Sequence, residues 1–585
     1  MTNRFKTLAL SCLTLFAVGC GNSDSGVGDA LSGVQFNPPA PGDPCAIAQQ
    51  NATGKWVTVV NAADAPPGAE TLRYFSFNQP SVNRLGTVVF RGRARGATGG
   101  EQAQSEGGGP LTGVWFRSLC SSEGILTKMV DRNTLVPAPN SNGVNFTETP
   151  SIPRIDADFD FMATRGNHQP VETVTLPDTT TTKAGTTGLY IFTSLLSTAM
   201  SNLGNFADFA QFSVPEVAPL TKFDVFPGSP SCSNGRFVVF KGNFVAEGAG
   251  RTGVFFKDTS NTNSAQRIAN SFDLIPNQPG GGTVTFDSTA PPSAANGKMV
   301  FTGLDNEEQP TLGGIYLAPL TEQPPLTTLI GIGDAVPDRN GFALGDGSTF
   351  NAFGEGLAFD GRMVAFWGAW GQQKREIILE CPADGNQALR DYCMANSPLP
   401  GGRTPVMVPV NQGIFVHDTL TGTTRMVSRS GEGEDFHDYL YWVFSGRPPG
   451  VGEEGDGDGG EAEPPRWRAS AFTAVDSDRG VAFKGSRTPG QGVPSSGIYG
   501  AAFFNGNLTD VQKVLEVGDS AATVDAEAPA DSTITALGIE REAIRGGWFT
   551  LSVSFLNPAS ESWAGIYATF VPTFAALPPA APPTP

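Results

Sequence analysis

One unit recurs along this chain, and its recurrence limits the fold more than any single motif does. From Asn296 to Pro337 the sequence runs Asn296-Gly297, Met299-Val300-Phe301, Gly303, a polar loop, Gly314-Ile315-Tyr316, Leu326 to Ile330, then Asp334 and Pro337. Such a string alternates turn signals with short apolar runs, and a fixed order of this kind marks a repeat architecture.

Two signatures carry the repeat. The first is an apolar run ending in Phe-x-Gly, found at Phe90-Arg91-Gly92, Phe240-Lys241-Gly242, Phe301-Thr302-Gly303, Phe366-Trp367-Gly368 and Phe483-Lys484-Gly485. Each copy follows an Asn, Asp or Gly turn, and an Asx-Gly pair supplies the positive φ of a tight hairpin. The second is Gly, an aliphatic residue, then an aromatic. It recurs seven times, at Trp115, Tyr190, Phe255, Tyr316, Phe415, Tyr499 and Tyr567. A phenylalanine-bearing strand precedes each turn (Phe75/Phe77, Phe223/Phe226, Phe286, Phe350/Phe353, Phe472), and an apolar strand follows most aromatics. Each unit is therefore four short antiparallel strands, the blade of a β-propeller. Before Tyr190 the first signature is degenerate, from Phe159 to Gly166, and before Tyr567 it is replaced by Trp548 to Phe555.

The seventh unit lacks its fourth strand, because Ala568 to Val571 runs into a proline-rich tail. Lys55 to Val60 followed by Asp64-Ala65-Pro66 repeats the pattern of Leu326 to Ile330 followed by Asp334-Ala335-Val336-Pro337. An N-terminal strand that completes the last blade would close the ring and remove two open edges. The expected fold is an all-β, seven-bladed propeller of four-stranded antiparallel blades over residues 55–571, closed in this way.

Asn83-x-x-Gly86 leading to Phe90, with the later Gly-Ile-Tyr segments, resembles bacterial secreted tandem-repeat proteins described by an Asn-x-x-Gly-x-x-x-x-Phe signature. The resemblance implies an exported, surface-tethered, propeller-like protein and supplies no catalytic residues.

The first residues form a targeting signal. Arg4 and Lys6 precede an apolar stretch from Leu8 to Phe16, and Ala17-Val18-Gly19-Cys20 resembles the lipobox of a bacterial lipoprotein. That resemblance implies removal of residues 1–19, lipidation of Cys20, and, with Gly21 next, sorting to the outer membrane of a Gram-negative cell. Several acyl chains anchor stably where one binds marginally. Residues 20–54 are expected to be a flexible tether and 572–585 a Pro/Ala-rich tail. No other apolar run approaches the ~20 residues that span a bilayer, so the lipid is the expected membrane contact.

Charge and cysteine usage agree with that address. A net charge of -19 with three histidines leaves no basic patch to neutralise phosphates, which argues against nucleic acid. Of the exported cysteines, Cys381 and Cys393 bracket a short polar loop and form the expected disulfide, while one of Cys45, Cys120 and Cys232 is left unpaired.

Two insertions break the repeat, at about 371–411 and 445–468, and loops on a rigid scaffold are where partner contacts concentrate. The second holds a Gly-rich acidic run that reads first as a solvated loop. Asp456, Asp458 and Glu461 are its candidate calcium ligands, since hard cations favour several oxygens. His437 stands among Glu432, Glu434, Asp435 and Asp438, a setting that raises a histidine pKa or helps hold a metal. The repeat aromatics are expected to be core between blades; Trp367 and Trp370, beside the cysteine loop, are the candidates for exposed stacking residues and, with His437, for ligand contacts. No Gly-x-Ser-x-Gly elbow, His-Glu-x-x-His helix or P-loop is present. The sequence therefore points to a monomeric, non-enzymatic scaffold for a protein or glycan partner. The competing reading is a propeller enzyme acting on glycans or lactones in its central channel.

Overall fold

A computed structural model describes residues 43–96, 110–121, 123–140, 143–168, 172–175, 181–184, 187–204, 207–382, 387–431, 436–447, 463–487, 495–504 and 507–572. Within them seven antiparallel sheets of four or more strands follow one another along the chain, beside two two-stranded hairpins. In each blade we letter the strands a to d. Blade 4 shows the pattern: a is Ser288–Thr289 with Ser293–Ala295, b is Lys298–Leu304, c is Gly313–Pro319 and d is Thr327–Gly331. The a strands of neighbouring blades touch all the way round, from blade 1 through blade 7 and back to blade 1. The a strands therefore line the axis and the d strands form the rim, as in a seven-bladed β-propeller.

The two sequence signatures explain how each blade packs. The glycine of Phe-x-Gly on strand b lies directly opposite the glycine of Gly-x-aromatic on strand c, as in Gly92↔Gly113, Gly303↔Gly314 and Gly485↔Gly497. The first glycine makes room for an aromatic from strand a or the segment leading into it. A Cβ on Gly303 would sit 2.6 Å from the Phe286 ring, and one on Gly242 would sit 2.5 Å from Phe223. That ring then meets the strand-c aromatic edge to face, with Phe286–Tyr316 at 5.4 Å and 87° and Phe436–Tyr499 at 4.9 Å and 89°. Such pairs add about 0.5–1.5 kcal/mol beyond the area they bury. The second glycine admits the backbone of strand d, which bulges between the residues facing the aliphatic and the aromatic positions. A Cβ on Gly314 would lie 2.1 Å from the Ile330 carbonyl oxygen. The same bulge sits at Val114/Trp115, Leu189/Tyr190, Val254/Phe255, Ile315/Tyr316, Ile414/Phe415 and Ile498/Tyr499.

Val57–Asn61 pairs antiparallel with Ser562–Phe570, strand c of blade 7. It bulges between Thr58 and Val60, opposite Tyr567 and Ile566, so it carries the same irregularity as the other d strands. The turn after it is also shared. Asn61 N donates to Asp64 Oδ2 at 2.9 Å, Gly331 N to Asp334 Oδ2 at 2.6 Å and Asn270 N to Asp273 Oδ2 at 2.8 Å. The ring thus closes through this strand, as the sequence pattern implies. Val59 and Val60, both fully buried, join a cluster with Val88, Phe90, Ile566 and Ala568.

Two regions differ from expectation. Part of the stretch assigned to the tether is helix α1, Pro44–Ala52, started by Asp43, whose carboxylate caps Cys45 N at 2.8 Å. A disulfide joins Cys45 to Cys120, and the Ala52 carbonyl accepts a hydrogen bond from Thr569 at 2.9 Å, so the helix is docked. Among the described residues Cys232 is the free thiol, and it is buried. The insertions also carry regular structure. In blade 5 strands b and c extend to Met363–Glu380 and Arg403–Asp418, with helix α2, Gln387–Asn396, near their tip, and Cys381 is bonded to Cys393. In blade 6 a hairpin of Tyr441–Arg447 and Glu463–Ser470 is inserted within strand a, and α2 packs on it.

Candidate functional site at the ring axis

Each a strand breaks once, and the breaks face the axis. In four blades the break contains proline, at Pro80, Pro153, Pro230 and Pro291-Pro292. Proline has no N–H to donate, so these breaks present carbonyl oxygens in need of a partner. In blade 7 the break between Thr533–Gly538 and Ile544–Arg545 reads Ile539-Glu540-Arg541-Glu542-Ala543, which is charged and buried.

With the adjoining Arg545, this segment reaches blades 1, 2, 4, 5 and 6 directly and blade 3 through Arg154. The Arg541 guanidinium donates to the Pro291 and Pro292 carbonyls of blade 4 at 3.2 and 2.8 Å. Arg545 donates to Val475 O of blade 6 at 2.7 Å and to Phe359 O of blade 5 at 2.8 Å. Arg154 of blade 2 pairs with Glu542 and, at 3.2 Å, with Glu540. Val82 N of blade 1 donates to the Glu542 carbonyl at 2.9 Å, and the Cys232 thiol of blade 3 contacts Arg154 O at 3.9 Å. Arg154, Glu542 and Arg545 are each no more than 3% exposed.

Burial taxes every one of these charges, so their partners decide their state. For Glu540, burial pushes the carboxyl up, but Arg154 and Arg541 outweigh it and hold the group below its ordinary range. Burial likewise works to lower Arg154, and Glu540 and Glu542 reverse it, so the guanidinium is raised. Arg541 and Arg545 are lowered by burial despite their acidic neighbours. The carboxylates here are acceptors bound to arginines, a state suited to holding blades together.

A second ring of contacts runs through the a–b turns. Asn83 donates to Asp160 of the next blade at 2.9 Å, Gly235 N to Asp156 at 3.0 Å, Gly297 N to Ser233 Oγ at 2.9 Å, and Ser477 N to Asp360. Each Asx or Ser side chain thus spans to a neighbouring turn. Asn234 and Gly235, like Asn296 and Gly297, both have positive φ, at 56° and 65° and at 52° and 71°.

Elsewhere, Lys241 and Glu355 act on each other, and Glu307 and Arg466 act on both. Burial raises Glu355, with Lys241 opposing it, and burial lowers Lys241, with Glu355 opposing it. Nearby in blade 6, Lys484 lies 3.9 Å from the centre of the Tyr441 ring, and burial pushes its pKa down to about 8.

The residues singled out from sequence do not converge on one site. Trp367 and Trp370 are buried rather than exposed, at 6% and 3%. Trp367 donates to Gln412 Oε1 at 2.8 Å, and Trp370 packs edge to face on Phe415, so both belong to the core of an extended strand. His437 is lowered, not raised, by burial and by Arg375, with Asp438 opposing. The Arg375 guanidinium, contributed by the blade 5 insertion, lies 3.0 Å from His437 Nε2 and 2.6 Å from Asp438. Glu432, Glu434 and Asp435 lie outside the described residues, as do Cys20 and the candidate calcium ligands Asp456, Asp458 and Glu461. Among the described residues no group of three His, Cys, Asp or Glu is placed to hold a metal ion.

Sequence reasoning missed the axial charges because the a-strand break carries no repeat motif. The available signal was compositional. Four charges, Glu540, Arg541, Glu542 and Arg545, fall within one short stretch of a chain that is only 16% charged.

No protein-family model matches the sequence, and no curated protein matches it. Only three residues separate Gly86 from Phe90, one fewer than in the tandem-repeat signature noted above. Among solved structures, the chain is similar to a Mycobacterium tuberculosis puromycin-hydrolyzing peptidase at 10% identity and a TM-score of 0.28, over 86% of this chain and 61% of that one. It is similar to Pyrococcus horikoshii acylaminoacyl peptidase at 9% identity and a TM-score of 0.30, over 83% and 57%. It is also similar to fructan 1-exohydrolase IIa from Cichorium intybus at 10% identity and a TM-score of 0.22, over 86% and 94%. The chain spans about three-fifths of the length of the two peptidases.

Proposed function

We propose that this protein is a non-enzymatic binding scaffold, tethered through lipidated Cys20 to the outer membrane of a Gram-negative bacterium, with the propeller as its rigid platform. The observation that carries the scaffold reading is the state of the axial charges. A general acid or base must be free to exchange a proton with a substrate near working pH. Glu540 and Glu542 are instead bound by Arg154, and Arg541 and Arg545 are taken up by carbonyls of blades 4, 5 and 6. The insertions of blades 5 and 6, joined through α2, supply a surface that varies from the repeat and is the proposed partner contact.

Turnover assays with the purified protein on a panel of polysaccharides, oligosaccharides and lactones test this reading. No hydrolysis is expected. Hydrolysis that Glu540→Gln or Glu355→Gln abolishes would overturn it in favour of a channel enzyme. The anchor is tested separately by palmitate labelling in cells: wild type should incorporate label and Cys20→Ser should not.

A further inference from the structure

A cleft of about 230 Å³ lies between blades 7 and 1, lined by Ala62, Arg73, Phe75, Arg95, Ser562 and Trp563 among others. It sits on the seam, where the chain leaves the closing strand at Asn61 and enters strand a of blade 1 at Leu72.

Two arginines dominate it. Arg73 on strand a and Arg95 on strand b, Thr87–Gly96, stand directly opposite each other in the antiparallel pair. Like charges so placed repel, and a sheet gains nothing from them unless something neutralises the pair. Neither has a carboxylate partner among the described residues. Arg73 donates one nitrogen to the Glu70 and Leu72 carbonyls, each at 2.7 Å, which fixes its guanidinium and leaves other N–H groups free. Arg95 is exposed and held over the Phe75 ring at 4.6 Å. In a chain with 57 acidic and 38 basic residues, an unpaired, opposed arginine pair is out of keeping with its surroundings. Among the described residues the acids nearest in sequence to Arg73 are engaged, Asp64 with Asn61 N and Glu70 with Gly68 N.

The remaining wall suits a ring. Trp563 is half-buried, and its indole N–H donates to Asp525 Oδ2 at 2.9 Å. The same oxygen accepts from Asn61 at 3.0 Å and Tyr567 at 2.6 Å, so the indole is set before any ligand arrives. Ser562 adds a hydroxyl at the edge. The volume is below that of drug-sized pockets, which begin near 300 Å³, and matches one small ring.

We propose that this cleft binds a single acidic sugar unit, a hexose carrying a carboxylate. Arg73 and Arg95 would grip the carboxylate in the two-pronged geometry that guanidinium groups favour, and the sugar ring would lie against Trp563. The net negative charge of the protein does not forbid this, because fields fade beyond about 8 Å at physiological salt. The site is separate from the insertions and stands or falls without them.

Titration of the mature protein with glucuronate, followed by tryptophan fluorescence and by melting temperature, tests the assignment. Glucuronate should bind saturably and raise the melting temperature, and glucose should do neither. Arg95→Gln and Arg73→Gln should each weaken binding by about tenfold. Arg95→Gln should melt within about 1 °C of wild type, because the Arg95 side chain makes no hydrogen bond or ion pair with a described residue and its loss of the Phe75 contact is offset by relief of the repulsion with Arg73. Comparing glucuronate with oligomers ending in it distinguishes a free monosaccharide from a polymer end. Equal binding of glucose or benzoate, unchanged binding by Arg95→Gln, or no saturable binding would overturn the proposal.

Discussion

Gly314 has strand d against the place where a side chain would begin, 2.1 Å from the Ile330 oxygen and 2.8 Å from Gly331 Cα. Both obstacles are backbone and cannot rotate away. Gly314→Ala should therefore cost about 3 kcal/mol, at the upper end of overpacking effects, read from urea denaturation. Gly345→Ala, with open space around it, should change stability by less than about 0.5 kcal/mol. The requirement was legible in the sequence as a recurring glycine two residues before an aromatic, although its cause, the bulge of strand d, was not. His168 makes the opposite case. It is 1% exposed, and burial pushes its pKa from 6.5 down to about 4. A base whose pKa is lowered on folding binds fewer protons folded than unfolded between those values, so stability falls as pH drops through that window. Urea midpoints at pH 7.5 and 4.5 should show a larger loss for wild type than for His168→Leu. Equal losses would show that His168 does not contribute. Nothing in the residues around His168 distinguished it from a surface histidine, because its burial comes from partners remote in sequence.

At the scale of elements, the repeat predicted strand pairing well, since turn chemistry and alternation are local properties. The insertions were less legible. A run such as Gly371 to Val410 carries Pro, Gly and charge, and reads as a loop, yet it forms a ribbon because its two halves pair with each other from Lys374↔Pro409 to Glu380↔Arg403. Trp367 and Trp370 were misread for the same reason, as flanks of a loop rather than as positions within a strand. Blade 5 is already complete at Trp370↔Asn411. Replacing residues 371–410 by an Asn-Gly turn should therefore leave the ring melting within about 2 °C of wild type, roughly 2 kcal/mol for a domain of this size. A collapse in melting temperature would mean that the insertion holds the ring rather than decorating it.

The whole molecule is held by two closures of different character. One is apolar and peripheral, in which Val59 and Val60 complete blade 7. The other is ionic and axial, in which Arg154, Arg541, Glu542 and Arg545 tie the a strands of blades 1, 2, 4, 5 and 6 to blade 7. Deleting Val57–Asn61 removes two fully buried valines and the Asn61–Asp525 bond and leaves the edge of Ser562–Phe570 open. The loss should be about 3–6 kcal/mol from the valines alone and should lower the single unfolding transition of the entire ring, as calorimetry would show. A truncated protein that melts normally would sink the closure. The first closure was legible because it reuses the repeat. The second was not, because it depends on which blades face one another across the axis.

The disulfide between Cys45 and Cys120 has a mechanical consequence. Tension applied to the chain before Cys45 meets the covalent bridge to blade 1 before it meets the closing strand, since Cys120 follows strand c of that blade. The load passes into a complete sheet, and the hydrogen bonds of the seam are bypassed. Reduction would redirect the same pull onto Val57–Asn61 and open the ring at its rim.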